Sequence, residues 1–354
     1  MSDDSLEDLE PLEDLTEEPA PQPPVHVRAV PDRGIIASFT KNPLPILILN
    51  EDLYITYSNE AFTRLFASLS HPEGERLPDV FGKALGVAAL KELIVSVKSP
   101  EKGFSWKGTI KSKDRESGTV LTKAYLFPVH SSSRSDQTPP AYIALFDDIT
   151  EENKSLLRSV YLSLLEASKL KDNDTGKHIN RVNLYSERFA EELFHHVGYE
   201  EIDKDFIDDI AFLASMHDVG KIGTPDDILN KEGSLADWEW TIMKEHTKNG
   251  AYLLSTYPNP MAREIALYHH ERWDGSGYPY NLEKTMIPLA ARIVSIVDVY
   301  DALRMKRSYK KPFDHETAIR IVKEGSGTQF DPTLIVLLDR IGDDFERIYS
   351  DNQD

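Results

Sequence analysis

The hydrophobic pattern changes period at Glu151, and that change constrains the fold more than any other feature of the chain. Before it, short apolar runs lie between polar turns. "PLPILILN" reads as a buried strand, "YITYS" as a second one after the turn "NEDLY", and "FSWKGTI", "TVLTKAYLFPV" and "AYIALFDDIT" as three more. "NEAFTRLFASL" has apolar residues at helical spacing, with Ser58 or Asn59 able to cap it. After Glu151 helical spacing takes over and persists. "SLLRSVYLSLLEASKLKD" puts Leu157, Val160 or Tyr161, Leu164 and Leu165 on one stripe. The expected fold is therefore multi-domain: an α/β domain over about 33–150, with an antiparallel sheet and short helices, then an all-α bundle. Residues 151–170 are a linker helix that pairs with its copy in a dimer, the first helix of the bundle, or in part both. Residues 1–32 are acidic and proline-rich, as in "EEPAPQPPVHV", and cannot bury enough apolar surface to offset ordering, so a disordered tail is expected. A short C-terminal tail is expected over 346–354. There is no internal repeat.

Composition narrows the chemistry. At 354 residues the chain has room for two domains. A formal net charge of −20 argues against broad electrostatic capture of DNA or RNA, and means that an anionic substrate needs a local basic cluster or metal ions. With no cysteine, the chain has no disulfide, thiolate zinc site, thiolate-ligated iron–sulfur cluster or cysteine nucleophile. Any metal must be held by His, Asp or Glu. No apolar run approaches the roughly 18 residues of a membrane span, and the acidic start "MSDDSLEDLEPLEDL" does not read as a secretory signal. A cytoplasmic protein without a membrane partner is expected.

The second half is dense in nitrogen and oxygen donors. Asp174 and His178 lie in "DTGKH", His217 and Asp218 in "MHDVGK", His246 in "KEHT", His269 and His270 in "HHERWDGSGYP", and Asp298 in "IVDVYDAL". A single histidine in an apolar helix is more often a satisfied core residue than a ligand. Asp174 and His178, four apart, share a face if the segment is helical, a weak signal alone. His217 and Asp218, about 100° apart on a helix, interrupt the apolar run "AFLASMHD", where polar side chains need partners. His195 and His196 in "LFHHVGY" are an internal control: an adjacent pair with no acidic or glycine motif nearby, read as helix-end residues. It is the assembly of donors that carries the signal.

Two resemblances follow from these blocks. "ILNEDLYITYSNEAFTRLF" and the closing "FDDITEEN" make 33–150 resemble a PAS sensor domain. The photoactive cysteine of LOV-type members is missing, no residue names a ligand, and His71 in "SHPEG" reads as a surface residue rather than a haem ligand. His217–Asp218 is the defining pair of the HD phosphohydrolases. With "DTGKHINR", "HDVGKIGTPDDIL", "MKEHTKNG", "HHERWDGSGYP", "IPLAARIVSIVDVYDAL" and "FDP" in this order, residues 155–345 resemble an HD-GYP domain.

That resemblance implies hydrolysis of cyclic di-GMP to pGpG or GMP, by attack of a hydroxide that bridges two metals. It implies metal ligation by His178, His217, Asp218, His246, His269, His270 and Asp298, with Asp218 bridging. Asp174 matches a glutamate that helps hold a third metal in some members, and its shorter side chain leaves two or three divalent ions open. Iron or manganese suits these ligands, and zinc is compatible with them. Lys221, matched to a lysine near the scissile phosphate, is expected to stabilise charge or protonate the leaving group; the alternative is a surface lysine paired with Asp218. Arg307 and Lys310 match phosphate-gripping residues.

In the histidine-pair loop, Gly275 and Gly277 permit a sharp turn, Pro279 stiffens its exit, Arg272 and Asp274 hold its shape, and Tyr278 is the expected substrate contact. Where the family shows glycines, this chain has Asn281 and Lys284, and the lysine suggests a different turn. Ser308 replaces a proline. Another cyclic dinucleotide as substrate, or a non-catalytic cyclic di-GMP receptor, are the alternatives.

Overall fold

The computed structural model describes residues 39–69, 71–98, 106–114, 116–129, 141–171, 176–305 and 312–353. The expected disordered tail over 1–32 lies outside them, as do Asp174, Arg307, Ser308 and Lys310. The chain divides into two compact units.

The early apolar runs form five strands: β1 (Ile46–Leu49), β2 (Ile55–Ser58), β3 (Trp106–Asp114), β4 (Gly118–Val129) and β5 (Ala141–Asp148). They make one sheet in the order β2-β1-β5-β4-β3. β1 pairs antiparallel with both neighbours, Ile48 standing opposite Tyr57 on one side and Ile143 on the other. All four β1 residues are buried, which suits the continuous run "ILIL" of a strand covered on both faces.

Of the two candidate caps, Asn59 begins the helix α1 (Glu60–Leu65). Its side-chain oxygen accepts from Phe62 N at 3.0 Å and Ile46 N at 2.9 Å. Its amide donates to the carbonyls of Phe39, Asn42 and Leu44 at 3.2, 3.3 and 2.8 Å. One side chain thus caps a helix and ties β1 to the segment before it.

Residues 77–98, which show no clean helical stripe in sequence, form α2 (Leu77–Lys98), two short helical runs joined at Gly86 with φ 77°. Leu77, Phe81, Leu85 and Leu93 are buried, while Val87 and Val95 face solvent. Apolar residues thus run around the helix, which erases the stripe that betrays a helix in sequence. Phe62, Phe66, Phe81 and Phe146 pack ring to ring at 5.0–6.3 Å. His71 is exposed, as a surface residue should be.

Beyond residue 150 the long elements are helices. α3 (Thr150–Lys169) sends Tyr161 and Leu165 into the core, so it is the first helix of the bundle; Val160, the alternative to Tyr161, is 58 % exposed. α4 (Gly176–Phe194) buries Val182, Tyr185, Phe189 and Leu193, a 3- and 4-residue spacing that faces one side. Each such large apolar side chain stabilises by about 1.5–3 kcal/mol. α5 (Lys204–Leu213) follows, capped by Asp203. Next come α6 (Asp226–Leu229), α7 (Asp237–Lys244), α8 (His246–Leu253) and α9 (Pro260–Tyr268). α10 (Leu289–Arg304) is buried nearly all round and is the central helix; α11 (His315–Glu324) and α12 (Pro332–Asp351) close the bundle.

α12 continues through residues expected to form a tail from 346. Glu346 reaches Arg304 at 2.8 Å, and the Tyr349 hydroxyl donates to the Arg304 carbonyl. Among the described residues no helix is long and apolar enough to cross a membrane.

Candidate metal centre

His178 enters on the first turn of α4, whose apolar stripe fixes the face it presents. His217 and Asp218 are not on a continuous helix, as their flanking pattern suggests. α5 ends at Leu213, a 3-10 turn covers Ala214–Met216, and a second covers Val219–Gly223. The pair occupies the break, with Asp218 at φ −101°, ψ 4°.

The break lets Gly220 press against α8: a Cβ there would lie 1.9 Å from the His246 carbonyl oxygen and 2.3 Å from Gly250 N. His246 opens α8, His269 caps α9, His270 follows in the turn, and Asp298 projects from the middle of α10.

These residues converge as two groups, each compact enough for one ion: Asp218, His246, His269 and His270, and His178, His217 and Asp298. Asp218 faces both. Its Oδ1 is 3.3 Å from His246 Nε2 and 3.7 Å from His269 Nε2, and its Oδ2 is 3.2 Å from His217 Nε2. Asp298 Oδ1 lies 3.7 Å from His217 Nε2 and 3.8 Å from His178 Nε2.

The imidazoles are poised in one tautomer. Nδ1 of His217 donates to the Ala214 carbonyl at 2.8 Å, that of His246 to Met243 at 2.7 Å, and that of His269 to Ile265 at 3.1 Å. A donor at Nδ1 leaves a lone pair on Nε2. Nε2 of His217, His246 and His269, together with Asp218 Oδ1, are buried without a hydrogen-bond partner. Buried polar atoms are nearly always paired, so four that face one another without partners fit the donors of a metal centre. This donor set of imidazole and carboxylate suits a divalent transition ion.

The electrostatics agree. Burial lowers the His217 pKa most strongly, but the Asp218 and Asp298 carboxylates and the Ala214 carbonyl together raise it to about 9. Burial pushes His246 down to about 4. Burial, and then the neighbouring His269 and His246, hold His270 well below the usual imidazole range. Burial raises Asp218, yet Lys221 and His217 hold it well below the usual carboxylate range. Apart from a metal, the cluster balances its carboxylate with a proton on one ring, a charge that a divalent cation replaces.

Behind the candidate ligands stands a carboxylate that sequence reasoning missed. Asp301, fully buried, accepts from His178 Nδ1 at 2.7 Å and from Arg181 Nε and a terminal guanidinium nitrogen at 2.7 and 2.9 Å. His178 thus spans two carboxylates of α10 one turn apart, Asp298 ahead and Asp301 behind. The signal was present: a second aspartate in the apolar run "IVDVYDAL", and an arginine three residues after His178.

Lys221 Nζ is 2.8 Å from Asp218 Oδ2, on the second 3-10 turn. His195 and His196 stand apart from the cluster at the end of α4, His196 meeting Glu192 and Arg340.

The loop after His270 is built from its own polar residues. Arg272 Nε donates to Ser276 Oγ at 2.9 Å, Ser276 Oγ donates to Asp274 at 2.6 Å, and Arg272 lies 3.8 Å from Asp274. Glu271, also missed and only 3 % exposed, accepts from the amides of Tyr280 and Leu282 at 2.7 and 3.0 Å. Gly275 has φ 78°; Gly277 is needed for close approach, since a Cβ there would lie 2.4 Å from Arg272 N. The Tyr278–Pro279 bond is cis.

Asn281 and Lys284 both adopt the left-handed region, at φ 58° and 53°. The lysine therefore takes the conformation it was expected to avoid, at a cost of about 1–2 kcal/mol. Tyr278 lies against His270, ring centroids 4.8 Å apart. It lines a cavity of about 620 Å³ that reaches His269, His270 and Asp298 and is walled by α7, within the size range of small-molecule sites.

Residues 186–334 match the HD domain family, and residues 43–151 match the PAS domain family. A cyclic di-GMP phosphodiesterase of Vibrio cholerae serotype O1 is 38 % identical over 220 residues, covering 59 % of this chain and 45 % of that protein. A cyclic di-GMP phosphodiesterase of Thermotoga maritima is 37 % identical over 211 residues, covering 59 % and 55 %. A 3′3′-cGAMP-specific phosphodiesterase, also of Vibrio cholerae, is 41 % identical over 206 residues, covering 57 % and 37 %. The chain thus spans about half or less of the length of these relatives.

Proposed function

Since the chain carries a PAS domain followed by an HD domain, we propose that it is a metal-dependent phosphodiesterase that hydrolyses cyclic di-GMP to pGpG or GMP under control of its PAS domain. The observation that carries this reading is the set of four buried, partnerless atoms on His217, Asp218, His246 and His269. His178, His217 and Asp298 would hold one divalent ion, His246, His269 and His270 another, and Asp218 both. Asp174 would bear on a third. Iron or manganese is the proposed metal, with zinc compatible.

When bound, the ions offset phosphodiester charge and supply a nucleophilic water at neutral pH. The chain does the rest. Asp301 orients His178, and Lys221 brings positive charge and a proton to the leaving 3′ oxygen. Tyr278 contacts the substrate at the cavity wall, and Arg307 and Lys310 grip its phosphates, the local basic charge that a chain of net charge −20 otherwise lacks. The names of relatives acting on cyclic di-GMP support this substrate, and the cGAMP-specific relative supports 3′3′-cGAMP as the second candidate.

The test is anaerobic incubation of the iron- or manganese-loaded chain with cyclic di-GMP, with products separated by chromatography. pGpG or GMP should appear, and His217→Ala should abolish both product and bound metal. Bound metal without product would count against cyclic di-GMP as substrate; product from 3′3′-cGAMP would then favour that dinucleotide, and product from neither would favour a receptor.

The proposal extends to a cytoplasmic homodimer paired along α3, with neither nucleic acid nor a membrane as partner. Leu156 and Val160, four apart on α3, are 65 % and 58 % exposed, which supports such a pairing. A strictly monomeric species by light scattering at micromolar concentration would sink the dimer.

A further inference from the structure

One wall of the 620 Å³ cavity has no part in the ligand cluster. α7 lines it with Asp237, Trp240, Thr241 and Lys244. The spacing of three, four and seven residues places all four on one helix face. Trp240 is 47 % exposed on that face, although a large aromatic group is costly to leave in water. Trp238 is also exposed but does not line the cavity.

A line of contacts joins this face to the ligands. His270 lies against the Tyr278 ring, and the Lys244 ammonium sits 5.2 Å from the centre of the same ring. From Lys244, α7 rises at 1.5 Å per residue, so Trp240 begins roughly 6 Å and Asp237 about 10 Å farther along. The wall therefore presents, in order outward from the ligands, a cation, an aromatic plane and a carboxylate.

We propose that this face of α7 is the base-recognition subsite. Trp240 stacks on a purine whose phosphate lies toward Lys244 and Tyr278, and the Asp237 carboxylate accepts from that purine's edge. The chemistry selects guanine. Guanine offers two adjacent donors on its Watson–Crick edge, N1–H and the 2-amino group, which match the two acceptor oxygens of an ionised carboxylate. Adenine offers an acceptor at N1, which a carboxylate repels. This inference rests on the reading of the neighbouring site as a cyclic dinucleotide phosphodiesterase. It adds which residues read one guanine of the substrate.

Two measurements on the full-length, metal-loaded chain test it separately from that reading. The first is quenching of intrinsic tryptophan fluorescence by GMP and by AMP, which needs no turnover. GMP should quench more strongly than AMP. Trp240→Ala should weaken GMP binding by roughly 5- to 150-fold, the range for losing one base stack. Trp240→Phe should restore most of it, and Trp238→Ala should bind as the parent chain does. Asp237→Asn should erase the preference for GMP. The second is steady-state hydrolysis of cyclic di-GMP and of cyclic di-AMP, which carries no guanine, in which Trp240→Ala should raise KM for cyclic di-GMP more than it lowers kcat. There Asp237→Asn should lower the preference for cyclic di-GMP about 10-fold.

Turnover with KM and preference unchanged in these variants overturns the subsite and leaves the phosphodiesterase standing. Guanine-selective quenching without turnover does the reverse. Absence of both overturns both.

Discussion

Asn59 in the sheet and the histidine cluster in the bundle are equally buried, yet they are opposite kinds of buried polar group. Asn59 is 2 % exposed and has five partners for its two polar atoms. His217, His246 and His269 are 1–2 % exposed, and each has one ring nitrogen hydrogen-bonded and the other facing Asp218 without a hydrogen bond. Burial alone does not separate structure from chemistry. The accounting of each donor and acceptor does, because a partnerless polar atom in the interior costs stability and persists where something else repays it.

The contrast can be broken in three ways. The largest effect belongs to Asn59→Ala, which leaves the amides of Ile46 and Phe62 without their acceptor. It should cost about 3 kcal/mol in denaturant unfolding of the sheet while bound metal per chain stays the same. Loss of metal in that variant would erase the distinction between the two regions.

Asp301→Asn comes next. It should weaken metal binding about 10- to 100-fold in a competitive chelator titration, as expected for a partner that orients a ligand from behind. Unchanged affinity would make Asp301 merely Arg181's counter-ion.

The third effect is read across pH rather than by mutation. The His217 pKa is raised from 6.5 to about 9 by Asp218, Asp298 and the Ala214 carbonyl despite burial. A group raised on folding contributes stability in full below its unfolded value and loses it as pH climbs through the folded one. Chelator-stripped protein should therefore become less stable between about pH 6.5 and 9, and metal-loaded protein should not follow if the metal takes the Nε2 position as proposed. Parallel curves for the two forms would show that His217 does not exchange a proton for metal.

Sequence reasoning reached the elements whose periods were clean and the ligands that stood out chemically. The five strands and α1 announced themselves by alternation, short apolar runs and a cap at Asn59. α2 did not, because Val87 and Val95 carry apolar character onto its wet face. Seven expected ligands converge, since histidines and aspartates set in apolar runs are visible in the sequence as an assembly. Asp301, Arg181 and Glu271 were harder, because their meaning depends on what lies across from them. Asp301 faces an imidazole 123 residues away in the chain, and no local pattern encodes that partner. The α7 wall was hidden for another reason: Asp237, Trp240 and Lys244 look like an ordinary solvated face until a cavity is found beside them. The 3-10 break at His217–Asp218 was invisible too, since the run before it is as apolar as a continuing helix.

That break also shapes how the chain tolerates change. With the His246 carbonyl 1.9 Å from any Cβ at position 220, alanine itself would force the Asp218 turn and α8 apart and spread the donors of both groups. In a saturation-mutagenesis survey, position 220 should score as severely as the histidines do. The most intolerant point of a site defined by side chains would then be a residue that has none.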